Sequence, residues 1–163
     1  MAEEGPLRIR PSTDEDLDWM VDRHDAIYER ELGWGTGFIA LVRSIVDGFR
    51  ASHDPGRERA WVAELEDERV GMVMLVRLDD ATAKLRILLV EPEFRGRGVG
   101  SALVAECLKF ARAAGYRRVT LWTDSGLDPA RHIYRREGFR LVGSEPHLLY
   151  GEGLVAETWE RDL

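Results

Sequence analysis

The sequence has only one cysteine, Cys107, so it cannot form an internal disulfide, which favours a reducing, cytoplasmic setting. It contains no apolar stretch long enough to span a membrane, and its first ten residues lack the pattern of a secretion signal. Positive charge is scarce, since 23 lysines and arginines stand against 30 acidic residues and the net charge is −7. This balance disfavours a nucleic-acid binder with a broad basic face. The four histidines show no metal-ligand spacing, so no metal site is expected.

Apolar residues make up 44% of the chain, enough for the core of one domain, which is predicted to span residues 1–163. The hydrophobic periodicity predicts eleven elements in the order β-α-α-β-β-β-α-β-α-β-β. Their approximate positions are 7–10, 14–31, 38–49, 60–64, 69–78, 84–90, 98–114, 118–123, 130–137, 139–142 and 155–161. This order predicts an α/β (mixed α+β) fold, in which helices cover both faces of a mixed sheet.

Residues 84–101, KLRILLVEPEFRGRGVGS, read as a buried strand, a turn with three glycines and the start of a helix. Such a turn presents backbone N–H groups to phosphate. A Walker loop requires a lysine that is absent after Gly100. A dinucleotide-binding turn fits Gly96, Gly98 and Ser101, with Asp124 near the position of a ribose-binding acid, but the antiparallel strands predicted upstream disfavour it.

A third pattern fits better. Residues Arg95–Gly100 resemble the Arg/Gln-x-x-Gly-x-Gly/Ala pyrophosphate motif of the GCN5-related N-acetyltransferases, the GNAT superfamily. Tyr134 with Gly138 and Phe139 resembles the Tyr-x-x-x-Gly-Phe segment of that family, and the element order is similar over nearly the whole chain. The segments LRILLVEP, LWT and EPH…YGEGLVAETWERDL are most similar to the acetyltransferase domain found fused to MarR-type regulators.

The resemblance implies a mostly antiparallel twisted sheet of six to seven strands, flanked by about four helices, and acetyl-CoA as cosubstrate. It assigns cofactor contacts to Leu88, Leu89, Val90, Arg95, Gly96, Arg97, Gly98, Val99, Gly100, Ser101 and Ser125. The strand before the motif is expected to splay from its neighbour, so that its backbone pairs with the pantetheine arm and polarises the thioester carbonyl. An asparagine often follows the fifth strand in this family, whereas this sequence reads Thr123-Asp124-Ser125.

The implied reaction moves an acetyl group to a primary amine by direct transfer in a ternary complex. Tyr134 is the expected general acid, although a buried tyrosine packed near Phe139 is the alternative. Candidates for the general base are Glu29, Glu31 and Glu91. The acceptor is a small-molecule or peptide amine, with no nucleic-acid or membrane partner and with a homodimer possible. The rival hypothesis is a non-catalytic acyl-CoA-binding sensor with the same fold.

An aromatic cluster and one histidine are expected near the site where the acceptor amine would bind. Trp34, Tyr28 and Phe38 flank the glycine-rich break at residues 33–37, where they form either an acceptor-pocket wall or simple packing between helices. His147 is the one histidine near that site. Cys107 falls on an apolar helix face, which predicts core packing rather than a nucleophile.

Overall fold

The computed structural model describes residues 5–34, 36–149 and 153–163. Gly35 of the predicted break and residues 150–152 of the segment after EPH lie outside the described residues. The first half contains β1 (Arg8–Pro11), α1 (Asp14–Leu32), α2 (Thr36–Ser52), β2 (Arg59–Leu65), β3 (Glu68–Arg77) and β4 (Thr82–Val90). The second half contains a 3-10 turn (Pro92–Phe94), α3 (Val99–Ala113), β5 (Arg118–Asp124), α4 (Asp128–Arg136), β6 (Arg140–His147) and β7 (Leu154–Asp162).

The strands form one seven-stranded sheet in the order β1-β2-β3-β4-β5-β7-β6. The β4–β5 pair is parallel and the other neighbouring pairs are antiparallel. Both the element order and the mixed, mostly antiparallel sheet with four helices are therefore confirmed. No helix among the described residues is long and apolar enough to cross a membrane.

The sixth strand is longer than the sequence predicts. The prediction ended it at residue 142, but β6 pairs with β7 as far as His147, opposite Leu154. Gly143, Ser144 and Pro146 are turn-forming residues, which is why the periodicity stops early. Because β6 lies at the edge of the sheet, a proline within it need not break a central ladder of hydrogen bonds.

The helices divide between the two faces of the sheet. Helices α1 and α2 bury one cluster against β2 and β3: Leu17, Met20, Ile27, Val42, Val46, Phe49, Val62, Met72 and Met74. Helices α3 and α4 bury the other: Leu103, Val104, Cys107, Leu108, Ala111, Tyr134 and Phe139, with Leu85, Leu121 and Trp159 of the sheet. Each helix therefore holds its apolar stripe against the central strands, and Cys107 lies in the core as expected.

Local signals set where α1 begins and ends. Thr13 and Asp16 form a capping box, in which the Thr13 N–H donates to Oδ2 of Asp16 at 2.7 Å and the Asp16 N–H donates to the Thr13 hydroxyl at 3.4 Å. Gly33 ends the helix in the left-handed conformation with φ of 66°. These two ends fix which α1 side chains reach the centre of the sheet.

Strand β4 changes direction in its second half. Ile87 has a φ of 52°, and the pairing of β3 with β4 shifts register nearby, between Met72 and Met74. On its other side β4 pairs with β5 only as far as Leu85, opposite Leu121. The remaining residues of β4 therefore diverge from β5, and this split opens the site described below.

Candidate active site

The glycine turn forms an unobstructed helix N-terminus. Gly96 and Gly98 have φ values of 78° and 81°, which side-chain-bearing residues rarely adopt. Gly98 caps α3 and accepts its first intrahelical bond, from the Ala102 N–H at 3.0 Å. The N–H groups of the first turn, residues 99–101, have no carbonyl within the helix to bond and form the positive end of the helix dipole. This end of α3 is suited to bind an anion such as pyrophosphate.

Gly100 allows α3 and α4 to approach closely. A Cβ at this position would lie 2.5 Å from Cδ1 of Ile133 and 3.4 Å from Cγ2 of Val90. The helix therefore begins directly against both the end of β4 and the side of α4. This contact brings the glycine turn next to the diverging strand.

A cleft of about 700 Å³ follows the turn and the diverging part of β4. It is lined by nine of the eleven residues predicted to bind the cofactor: Leu88, Leu89, Val90, Arg95, Gly96, Gly98, Val99, Gly100 and Ser101. Arg97 and Ser125 do not line it. The Arg97 guanidinium lies 5.2 Å above the Phe94 ring, and the residues after Ser125, from Gly126 to Ala130, form the facing wall.

The backbone of Leu88–Val90 faces the cleft on the side away from β3. Val90 pairs with Gly71 and Leu89 with Met72, but no register pair joins residues 86–90 to β5 within the described chain. Backbone N–H and C=O groups need partners when they are covered. An extended ligand lying along this edge would complete the interrupted ladder, as the sequence resemblance implies for pantetheine.

A second cavity of about 300 Å³, here called the inner cavity, lies between β4, β5 and the helix pair α1–α2. Its apolar and aromatic wall includes Trp34, Phe38, Leu41, Val42, Ile45 and Trp122. Four residues line both the inner cavity and the cleft: Tyr28, Leu88, Leu127 and Ala130. The two cavities therefore meet beside Leu88, where β4 leaves β5.

Tyr134 lines the inner cavity rather than the cleft. Its ring is 5% exposed and lies 5.9 Å from the Phe139 ring and 6.4 Å from the Trp159 ring, centroid to centroid. Burial raises the pKa of the Tyr134 phenol, so the group is protonated at neutral pH. The side chain thus packs in the core and also borders the place where the two cavities meet.

The three candidate glutamates occupy different environments. Glu31 lines the cleft, where its carboxylate forms an ion pair with Arg95 at 2.9 Å. Glu91 accepts a hydrogen bond from Nη2 of Arg23 at 2.8 Å and borders a separate polar surface pocket. Glu29 is exposed on α1. Among the described residues that line the inner cavity, none of the three appears.

The inner cavity does contain charged groups that no sequence motif joins into one site. Asp124, 1% exposed, accepts a hydrogen bond from His147 Nε2 at 2.8 Å, and the Leu149 N–H donates to Nδ1 of the same ring at 3.2 Å. Lys84 and Arg86 reach the cavity from β4. The alternation Lys84-Leu85-Arg86 was the available signal, since period two places both cations on one face of a strand. Within the described chain, no three histidine, cysteine or acidic side chains group to hold a metal.

Known proteins resemble this chain in sequence and in fold. The model of the acetyltransferase (GNAT) family matches residues 15–139. An uncharacterised N-acetyltransferase of Methanocaldococcus jannaschii is 27% identical over 146 residues, which cover 80% of this chain and 59% of that protein. The N-acetylaspartate synthetase of Danio rerio is 39% identical over 93 residues, which cover 56% of this chain and 33% of that protein.

The match to solved structures extends over almost the whole chain. The crystal structure of a GNAT-family acetyltransferase from Staphylococcus aureus Mu50 superposes with a TM-score of 0.80, covering 97% of this chain and 99% of that one. At 16% identity, this likeness concerns the fold alone. The family model, by contrast, matches the sequence from the start of α1 to Phe139. The chain therefore belongs to the GNAT family of acetyltransferase enzymes.

Proposed function

We propose that this chain transfers an acetyl group from acetyl-CoA to a primary amine by direct transfer within a ternary complex. The observation that carries the proposal is the junction of two cavities beside Leu88 at the open end of β4. Two substrates that enter from opposite sides would meet there. Cys107, the one thiol, lines neither cavity and is fully buried, and burial raises its pKa, so a covalent acetyl-cysteine step has no support.

The cleft would hold the cosubstrate, whose thioester supplies the acetyl group. N–H groups at the start of α3 would bind the pyrophosphate, and the Arg95 guanidinium would add a charge-assisted bond. Arg97 and Ser125 remain predicted contacts at the margin of this cleft. The unpaired edge of Leu88–Val90 would hold the pantetheine amides and direct a backbone N–H at the thioester carbonyl.

Proton transfer would involve Tyr134 as the general acid for the leaving sulfur. Its support is its position on the inner cavity and the protonated state that burial maintains. Among the three candidate bases Glu31 has the best placement, because it lines the cleft, whereas Glu29 and Glu91 line neither cavity. The Asp124–His147 pair joins Glu31 as a candidate, since Asp124 borders the inner cavity.

The finer predictions stay part of this proposal. They include a single domain, a cytoplasmic location, a possible homodimer and kinship with the acetyltransferase domain fused to MarR-type regulators. The chain spans a third to three fifths of the length of the two sequence relatives reported above, from Danio rerio and Methanocaldococcus jannaschii. Since one relative is named N-acetylaspartate synthetase, free amino acids belong among the amines to test beside polyamines and peptides.

The test is an acceptor panel in which free-thiol release from acetyl-CoA is measured for the purified protein. Thermal shift with CoA and with NAD is recorded in parallel. Stabilisation by CoA together with amine-dependent thiol release is the expected result. Stabilisation by CoA without release for any amine would support the acyl-CoA sensor instead, and stabilisation by NAD alone would overturn both hypotheses.

A further inference from the structure

Arg86 is a partly buried cation with no ion-pair partner among the described residues. Its side chain enters the inner cavity from β4, opposite Met74 of the neighbouring strand. Its Nε is buried and has no hydrogen-bond acceptor, and no carboxylate of the described residues lies within ion-pair distance of Arg86 or of Lys84. Both cations thus line the inner cavity with no carboxylate of the described chain close enough to form an ion pair.

This arrangement is costly for the protein alone. Burial lowers the pKa of Arg86, and burial together with the Arg86 charge lowers the pKa of Lys84. Two partly buried cations therefore repel each other in this cavity. An anionic group on a ligand would compensate this cost through charge-assisted hydrogen bonds, and a carboxylate suits the planar guanidinium fork.

The wall formed by β5 has the opposite charge. Asp124 is buried there, and the hydrogen bond from His147 holds its carboxylate in place. A buried carboxylate beside the junction of the cavities is suited to receive an amino group. Between the charged groups the surface is aromatic and aliphatic, and Tyr28 stacks on Trp34 with ring centroids 5.4 Å apart. The cavity therefore combines a cationic site, an anionic site and an apolar wall.

We propose that the acceptor is a free α-amino acid with an apolar side chain, whose carboxylate binds Arg86 and Lys84. Its amino group lies at Asp124, and its side chain contacts the wall formed by Trp34 and Phe38. This inference rests on the proposed acetyl transfer. In that reaction the amine nitrogen bonds to the acetyl carbon, the carbon–sulfur bond breaks, and the proton lost by the amine balances the one gained by the sulfur.

Three matched acceptors test the carboxylate. L-phenylalanine has it, L-phenylalanine amide replaces it as a peptide would, and 2-phenylethylamine lacks it. The kcat/KM for L-phenylalanine is expected to exceed the other two by at least about tenfold, since a buried charge left unpaired is costly. Equal or greater kcat/KM for the amide would overturn the proposal and favour a peptide N-terminus. Equal or greater kcat/KM for 2-phenylethylamine would overturn it in favour of an amine that has no carboxylate.

The variant Arg86→Gln tests whether Arg86 binds the carboxylate of the acceptor. It should raise KM for L-phenylalanine at least about tenfold but should not raise KM for 2-phenylethylamine, which has no carboxylate to lose contact with Arg86. Arg86→Lys should recover part of the loss, because it restores the charge without the fork. Arg8→Gln, at an exposed position on β1, is the matched control and should behave as wild type. An equal effect of Arg86→Gln on both acceptors would contradict the carboxylate site.

Binding measurements distinguish a failure of the carboxylate site from a failure of acetyl transfer. Thermal shift of the CoA-saturated protein is measured with each of the three compounds, for wild type and for Arg86→Gln. Stabilisation by L-phenylalanine alone, lost in Arg86→Gln, supports the carboxylate site even if no thiol is released, in which case the transfer proposal fails. Thiol release with no preference for the carboxylate keeps the transfer proposal and refutes the site.

Discussion

Replacement of Asp16 by asparagine tests how strongly one buried carboxylate anchors α1 to the sheet. Its side chain is 0% exposed and accepts hydrogen bonds from the two terminal nitrogens of Arg10 at 2.6 and 3.1 Å. Nε of Arg69 lies 2.9 Å away, and the Thr13 hydroxyl donates at 2.9 Å. Because Arg10 is on β1 and Arg69 on β3, this carboxylate joins the start of the helix to two strands.

The lowered pKa of Asp16 gives the size of the expected loss of stability. Burial alone would raise this pKa, but hydrogen bonds from Arg10 and Thr13 outweigh burial and lower it from 3.8 to about 2. This difference corresponds to about 2.5 kcal/mol of stability at neutral pH. Asp16→Asn also places an amide donor among arginine donors, so we expect a loss of at least this size. With a urea m-value of about 2 kcal/mol/M, the unfolding midpoint should fall by about 1 M.

The pH dependence has a defined sign. Because the folded-state pKa is lowered, the contribution of Asp16 is fully present above the unfolded pKa of 3.8 and is lost as the pH falls through about 2. The stability difference between wild type and Asp16→Asn should therefore be constant from neutral pH down to about pH 5. It should shrink below about pH 4.

Urea unfolding followed by circular dichroism at several pH values measures both effects. Asp18→Asn is the matched control, because Asp18 is on the same helix but 71% exposed in its ion pair with Arg50. Surface pairs of this kind contribute little, so the control should leave the midpoint unchanged. An unfolding midpoint for Asp16→Asn equal to that of the control at neutral pH would refute the anchoring role of Asp16, as would a deficit that persists unchanged in acid.

Three further predictions concern the site. Tyr134→Phe should lower kcat by about 10² or more while the Kd for acetyl-CoA stays within about twofold, because the ring packing is kept and only the proton donor is lost; kinetics and calorimetry measure this, and wild-type turnover would remove Tyr134 from the mechanism. Gly100→Ala should weaken acetyl-CoA binding in calorimetry, since its Cβ would press on Ile133. The control Gly48→Ala, with nothing within 4 Å of its Cβ, should instead raise the unfolding midpoint. Equal CoA affinity in both variants would contradict the close-packed turn. Glu31→Gln should tighten acetyl-CoA binding by up to about fivefold at low salt, because it releases Arg95 for the phosphates; a large fall in kcat instead would identify Glu31 as the base.

Most of the fold could be predicted from local sequence signals. The apolar stripes of α1, α2 and α3 repeat with helical period, and Gly33, Gly98 and Pro129 mark helix ends through their own backbone limits. The end of β6 could not be predicted, because turn-forming residues are tolerated in an edge strand only once the sheet exists. Sequence alone does not reveal which strand lies at the edge.

The sequence indicated the glycine turn and the aromatic residues near the helix break, but not the charged groups of the inner cavity. A glycine turn is contiguous in sequence, so its spacing carries the signal. The inner cavity instead brings together Arg86, Asp124 and Trp34 from distant parts of the chain. Similarly, nothing in the sequence indicates that Glu91 pairs with Arg23 across 68 positions. Charges that meet only through tertiary packing have no periodic signature.

Ile87 explains how one strand can contribute to both cavities. Up to Leu85, odd-numbered residues of β4 pack with α3, but Ile87 packs with α1 and α2, and Leu88 and Val90 pack with α3. The extra residue thus reverses the alternation and places Arg86 and Ile87 on the same side. A β-branched residue at φ of 52° costs about 1–2 kcal/mol, and packing around it must maintain that strain. The reversal lets Arg86 face the inner cavity while Leu88 and Val90, two and four residues later, pack toward α3 beside the cleft. The strained residue therefore lies where the two proposed substrates meet.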